Sequence, residues 1–287
     1  MRLCIFDDDR VGAIAPDGAV ADITHLVPGQ VAPRDRMTAV IRAWPGLQGP
    51  ANEALASASL RLSELTLRAP QPAPGKIIAA PVNYKLHQAE MGGGEGVYAG
   101  VEIKTIETYA GFIKASSSIV GPDGAIELPD GERRVDHEAE IGLVVGRRAK
   151  NVRREDALDY IFGYVPLMDI TIRGDEDRSF RKSYDTFTPI GPAIVTADEI
   201  ADPENLSFEL TVDGERRQQS NTSKMIYGIR RLVEFYSHAM TLEPGDLIAT
   251  GTPEGVGPIQ AGQEVVLTIP TIGELTMQVR GGRTAGC

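Results

Sequence analysis

Two glutamates stand two residues apart in Arg134-Val135-Asp136-His137-Glu138-Ala139-Glu140-Ile141-Gly142-Leu143-Val144-Val145-Gly146. In an extended strand, residues i and i+2 share a face, so Glu138 and Glu140 sit side by side, with Asp136 next along. Paired carboxylates beside an apolar run call for a cation between them, because unpaired buried charge is costly. Oxygen-only ligands select a hard ion, Mg2+, Mn2+ or Ca2+. The competing reading is a solvated strand end with its charges in water. A third carboxylate, Asp169, closes the apolar run Ile161–Met168, where a buried strand opens into a loop and can present a side chain to a site. Arg173 and Lys182 follow closely. Beside a carboxylate-bound metal they suit an anionic substrate, and otherwise they read as a surface ion-pair network. His87 and Glu90, three apart, become neighbours on a helical turn, where the carboxylate orients the imidazole and raises its basicity for taking a proton from water. The same His-x-x-Glu spacing also occurs by chance on solvated helix faces. His137 is expected on the face opposite Glu138 and Glu140, and His25 and His238 lack such neighbours.

The elements that must position these groups are mostly short strands. Leu3–Phe6, Val11–Ile14 and Ala19–Ile23 are apolar runs separated by turn residues and predict an antiparallel meander. Residues 36–65 read as helical, split into two helices by Pro45-Gly46 and Gly49-Pro50. The three prolines of 69–75 mark a linker, giving a small N-terminal domain of meander plus helices (1–70), a Pro-rich linker (71–75) and a main domain (76–287). In the main domain, strands are expected at 76–81, 125–128, 139–145, 162–168, 247–250, 264–269 and 274–279. Short helices are expected at 83–91 and 151–161. A further helix starts near Met225 behind the capping candidates Asn221, Thr222 and Ser223. The glycines at 92–96 break the first of these helices and lack the Lys-Ser/Thr of a phosphate-binding loop, and residues 92–110 are a candidate lid.

The formal charge of −11 argues against nucleic acid or an anionic membrane as partner. No apolar stretch approaches bilayer length, residues 1–9 do not read as a secretory signal, and two cysteines make no disulfide framework, so a cytoplasmic setting is expected. Cys4 reads as a small buried hydrophobe.

Across residues 76–282 the chain resembles the fumarylacetoacetate hydrolase family. The matching segments include Asn83-Tyr84-x-x-His87-x-x-Glu90-Met91-Gly92, Ser117-Ser118-Ile119-Val120-Gly121-Pro122, Val135-Asp136-His137-Glu138-Ala139-Glu140, and Gly163-Tyr164 with Asp169. They continue through Lys182-Ser183-Tyr184-Asp185-Thr186-Phe187, Asn221-Thr222-Ser223 and Thr250-Gly251-Thr252-Pro253-Glu254-Gly255. The resemblance implies an α+β fold, a mixed β-sandwich roll with short helices behind the small N-terminal domain, and a homodimer. It implies Mg2+, or Mn2+, with Ca2+ as an occupant in crystals, held by Glu138, Glu140 and Asp169. It makes His87 and Glu90 the water-activating pair with Lys182 as a further catalytic group, and Arg173, Thr252, Tyr164 and Lys114 substrate-binding. The implied activity is hydrolysis of a C–C bond in a small anionic 2,4-dioxo acid, an acylpyruvate or a fumarylpyruvate- or fumarylacetoacetate-like compound, through a metal-stabilised enolate, in the breakdown of aromatic compounds. Decarboxylation, isomerisation or hydration of an oxaloacetate-like or 2-oxo-enoic acid is the alternative on the same site. A non-catalytic dicarboxylate binder or a Ca2+-stabilised structural dimer would not need the His87–Glu90 pair. The chain departs from many relatives at Ile172-Arg173-Gly174 and in the short charged loop before Lys182, which offers no match for a substrate-binding Gln.

Overall fold

Continuous runs of β-branched and aliphatic residues, with no polar alternation, form strands covered on both faces. Two such runs make the centre of the molecule. The computed structural model describes residues 1–93, 102–129, 131 and 133–281. Its strands and helices, in chain order, are β1 (Arg2–Phe6), β2 (Arg10–Ile14), β3 (Ala19–Asp22), α1 (Arg36–Leu55), β4 (Ile77–Ala79), α2 (Lys85–Gly93), β5 (Phe112–Lys114) and β6 (Ala125–Glu127). They continue with β7 (Val135–His137), β8 (Ala139–Val145), β9 (Ile161–Met168), α3 (Arg178–Arg181), β10 (Ile194–Thr196), β11 (Ser207–Val212) and β12 (Glu215–Asn221). The last are α4 (Ile229–Ala239), β13 (Leu247–Ala249), β14 (Glu264–Ile269) and β15 (Gly273–Arg280). The short helix Ile106–Tyr109, a few two-residue strands and 3-10 turns complete the set.

The main sheet runs β3-β2-β1-β10-β9-β8-β13-β4-β5, with Leu60–Arg61 outside β3 and Leu67–Arg68 beside β1. Every residue of β8 and β9 is buried. One face of the sheet carries Leu3, Val144, Phe162, Leu167 and Leu247 against Met37, Val40, Ile41 and Trp44 of α1. The other carries Leu143, Tyr164, Met168 and Ile248 against α4 and the second sheet, ordered β12-β11-β14-β15-β6. The fold is therefore α+β, two sheets sharing a core with few, short helices. The expected meander is present, and it joins the main sheet through Arg2 opposite Val195 and Leu3 opposite Ile194.

Two expectations are corrected. Residues 36–55 form one helix that runs through Pro45 and Pro50. Both prolines face solvent, while Met37, Val40, Ile41, Trp44 and Ala51 bury the opposite side at helical spacing, so packing outweighs the cost of the missing N–H groups. The helix ends at Leu55 rather than extending to residue 65. The second correction is at α4, which starts at Ile229 with Gly228 as N-cap, not at Met225. Asn221 does cap, but it caps the 3-10 turn Thr222–Lys224. The next residues stay extended because Asn83 claims them: Ile226 N–H donates to its carbonyl (2.8 Å) and Tyr227 N–H to its Oδ1 (2.7 Å).

Cys4 is buried, which pushes its thiol up to about 12. Cys287, glycines 94–96 and the part of the candidate lid at 94–101 lie outside the described residues.

Candidate functional site

Strand register assembles the acidic cluster. β8 and β9 pair antiparallel with Ala139 opposite Met168, so Glu138 falls opposite Asp169, and the Asp169 N–H donates to the Glu138 carbonyl at 2.9 Å. On the other side of β8, Gly142 pairs with Ala249 of β13, which brings the Gly251 N–H to Glu140 Oε2 at 2.7 Å. Gly251 adopts φ +91°, and a Cβ there would stand 2.7 Å from the Asn83 side chain, so glycine is required for that approach. Ligand oxygens of Glu138, Glu140 and Asp169 all lie within 4.8 Å of one another, and all three residues are buried.

Cations crowd two of the three carboxylates. Lys182 Nζ, at the end of α3, donates to Glu138 Oε2 (2.7 Å) and Asp169 Oδ2 (2.8 Å). Lys114 Nζ, from β5, donates to Asp169 and to the Phe187 carbonyl. Arg173 joins Asp136 (2.6 Å) to Glu138 (3.2 Å). Asp136 is thus beside the cluster but turned to Arg173 and Arg134. Burial alone would raise the Glu138 carboxyl, but Lys182 and Arg173 hold it below the ordinary range. Glu140 forms no ion pair among the described residues. Burial first, then the charges of Asp169 and Glu138, push its carboxyl well above the ordinary range. A buried oxygen-only trio with one member lacking a counter-charge is the donor set a hard dication requires, so the residues present fit a divalent metal.

The helical spacing in α2 does bring His87 Nδ1 to Glu90 Oε2, at 3.1 Å. Glu90 Oε1 accepts from the Gly255 N–H at 2.9 Å, tying α2 to the 251–255 loop. Burial opposes the Glu90 carboxylate, yet the bonds from His87 and Gly255 keep it below its ordinary range. With Glu90 accepting at Nδ1, the ring's hydrogen sits there and Nε2 is left as a base.

One cavity is lined by His87, Glu138, Asp169, Arg173, Lys182 and Thr252, with Val82, Met91 and Phe112 as apolar walls. Two expected residues are placed elsewhere. Tyr164 is buried in the core beneath β9, and the charged groups acting on it are Arg230, Glu204 and Asp202. Lys114 is behind Asp169, fully buried, and supports that carboxylate rather than lining the cavity. His137 turns to Gln218, away from the cluster, as its strand position requires. Arg178 and Arg181 also line the cavity. They lie in the charged loop before Lys182, where the sequence carries charge but no spacing rule that separates a cavity arginine from a surface one. Gln218 contacts Thr252 from β12, a strand with no apolar alternation to announce it.

A family model for the C-terminal domain of fumarylacetoacetate (FAA) hydrolase matches residues 76–280. Maleylpyruvate hydrolase of Aquipseudomonas alcaligenes is 40% identical over 286 residues, covering 98% of this chain and 99% of that protein. Among solved structures, maleylpyruvate hydrolase from Sphingobium sp. SYK-6, in complex with manganese(II) and pyruvate, is 38% identical with a TM-score of 0.87, covering 99% of this chain and 100% of that one. The 5-carboxymethyl-2-hydroxymuconate delta-isomerase from Mycobacterium smegmatis is 33% identical, with a TM-score of 0.74 and coverage of 98% and 99%. The chain therefore belongs to the fumarylacetoacetate hydrolase family.

Proposed function

We propose that this chain is a divalent-metal-dependent hydrolase that cleaves a C–C bond in an acylpyruvate-type 2,4-dioxo acid. The observation that carries the reading is that one cavity is lined both by Glu138 and Asp169 of the three-carboxylate cluster and by His87, whose Nδ1 is held by Glu90. The full-length likeness to two maleylpyruvate hydrolases, one of them in complex with manganese(II) and pyruvate, supports it.

Glu138, Glu140 and Asp169 would hold Mg2+ or Mn2+. When bound, the ion supplies a Lewis acid for the negative charge that develops on the substrate's oxygens. His87 Nε2 takes a proton from water, whose oxygen adds to the acyl carbonyl carbon. Glu90 holds the ring's orientation at Nδ1 and stabilises the imidazolium. The C–C bond then breaks with its electron pair going to the pyruvate fragment as an enolate. Protonation yields pyruvate, and the acyl group leaves as a carboxylic acid. Arg173 and Lys182 provide positive charge for the substrate's carboxylate, and the Thr252 hydroxyl donates to a reacting oxygen. An anionic acid thus enters a protein of net charge −11 because the cavity concentrates cations.

A homodimer is part of this reading. Ile113, on the edge strand β5, and Phe180, on the neighbouring α3, are exposed at 40% and 63%, an apolar surface that a second copy would cover. Light scattering on the purified chain measures it. Among the described residues no helix is long and apolar enough to cross a membrane.

The decisive experiment incubates the protein with Mg2+ or Mn2+ and a panel of maleylpyruvate, fumarylpyruvate, fumarylacetoacetate and oxaloacetate, with products identified by mass. Pyruvate and a carboxylic acid, formed only with the ion present, are expected from an acylpyruvate. Carbon dioxide from oxaloacetate, or an isomer of unchanged mass, without acylpyruvate cleavage would assign the site to the decarboxylase or isomerase chemistry instead.

A further inference from the structure

Gln218 is buried at 1% exposure in β12, and its amide is fully engaged by two segments of the site. Oε1 accepts from the Ala139 N–H at 2.9 Å and from His137 Nδ1 at 3.1 Å. Nε2 donates to the Pro253 carbonyl at 3.0 Å and to Thr252 Oγ1 at 2.8 Å. A backbone N–H only donates and a backbone carbonyl only accepts, so Ala139 and Pro253 together fix which end of the amide is which. Thr252 Oγ1 is therefore an acceptor from Gln218. Its own hydrogen has no acceptor among the described residues, while the side chain is 3% exposed and lines the cavity. A hydroxyl that accepts on one side and faces a cavity on the other has its hydrogen left for what the cavity holds.

We infer that Gln218 is a positioning residue: by donating to Thr252 Oγ1 it commits the Thr252 hydroxyl to donate into the cavity, toward the oxygen on which negative charge develops. The inference rests on the proposed hydrolase reading, in which Thr252 faces the substrate. Fixing one donor in advance matters because an oxyanion donor that must first reorient loses much of its effect on the transition state. A competing role is also visible. Ala139 separates Glu138 from Glu140, so Gln218 Oε1 could serve only to hold the carboxylates in register.

The experiment is a double-mutant cycle of Gln218→Glu and Thr252→Val, with maleylpyruvate as probe at saturating Mn2+, together with Mn2+ calorimetry. Glutamate keeps the acceptor for Ala139 and His137. It removes the donation to Thr252 and invites that hydroxyl to donate backward, away from the cavity. The expected result is a fall in kcat of roughly 10²-fold for each single variant. KM stays within about twofold, and the double variant is no slower than Thr252→Val, because both lose the same donor. Mn2+ affinity of Gln218→Glu stays at the wild-type value. Losses that multiply in the double variant overturn the inference. So does weakened Mn2+ binding by Gln218→Glu with kcat intact at saturation, which assigns Gln218 to the carboxylates. In both cases the hydrolase reading stands. Wild-type turnover by Thr252→Val overturns the inference and leaves the hydrolase reading standing, whereas no turnover by the wild type refutes that reading and the inference with it. Should Gln218→Glu fail to fold, Gln218→Met in the same two backgrounds reads the same cycle.

Discussion

Glu140→Gln separates the electrostatics of the cluster from its ligand role, since the two respond in opposite directions. The amide is isosteric, and its carbonyl keeps the acceptor for the Gly251 N–H. Two unit charges at the 4.8 Å limit of the cluster repel by about 3.5 kcal/mol at an effective dielectric of about 20. Lys182 and Lys114 offset part of that on Asp169 and Glu138, leaving about 2 kcal/mol of relief when Glu140 loses its charge. A chain of 287 residues unfolds with an entropy of about 0.6 kcal/mol/K, so in EDTA at pH 8 the variant should melt about 3 °C above wild type. Mn2+ at 100 times its Kd stabilises the wild type by about 2.7 kcal/mol, a shift of about 4–5 °C. The variant should shift by less than about 1 °C under the same conditions. Differential scanning calorimetry reads both quantities in one series. A Mn2+ shift equal to wild type would refute Glu140 as a ligand, and a lower melting temperature in EDTA would refute the account of its unpaired charge.

Two further outcomes follow from the same geometry. His87→Ala should lower acylpyruvate turnover by about 10²–10⁴-fold while Mn2+ affinity, measured by calorimetry, is unchanged, because His87 touches none of the three carboxylates. Undiminished cleavage would remove His87 as the base. In EDTA, pH should act on the cluster from both sides. Despite burial, Lys182 and Arg173 lower the Glu138 carboxyl from its ordinary 4.5 to about 2. Its contribution is therefore present above pH 4.5 and is lost as pH falls toward 2. Burial and like charge raise Glu140, so its contribution has the opposite sign, present below pH 4.5 and lost as pH rises through the higher folded value. Melting curves against pH should lose their acid-side slope in Glu138→Gln and their alkaline-side decline in Glu140→Gln. A Glu140→Gln curve parallel to wild type above pH 5 would contradict this assignment.

The cluster was legible in the sequence because each member follows a short-range rule. Glu138 and Glu140 obey the two-residue period of a strand, Asp169 stands at the end of an apolar run, and His87 and Glu90 have helical spacing. Features decided by distant partners were not. The unbroken α1 depends on a sheet face assembled from residues up to Ala249, and the late start of α4 depends on Asn83. In β12 the buried positions are Gln218 and Ser220, so a strand period is present but written in polar residues. Lys114 and Tyr164 match the family's motif order, yet only the packing reveals that one backs Asp169 and the other faces the core.

The register of the main sheet also sets a timetable for the growing chain. β1 waits about 190 residues of synthesis for its partner β10, and β4 about 170 residues for its parallel partner β13. At a synthesis rate of about 5–20 residues per second, those strand edges stay open on the ribosome for about 10–40 s. All three carboxylates exist by residue 169, whereas Gly251 and Thr252, which close over them, come more than 80 residues later. The nascent chain thus carries unpaired edges and an uncovered acidic cluster through much of its synthesis, the interval in which chaperone contact or mispairing between neighbouring chains decides its yield.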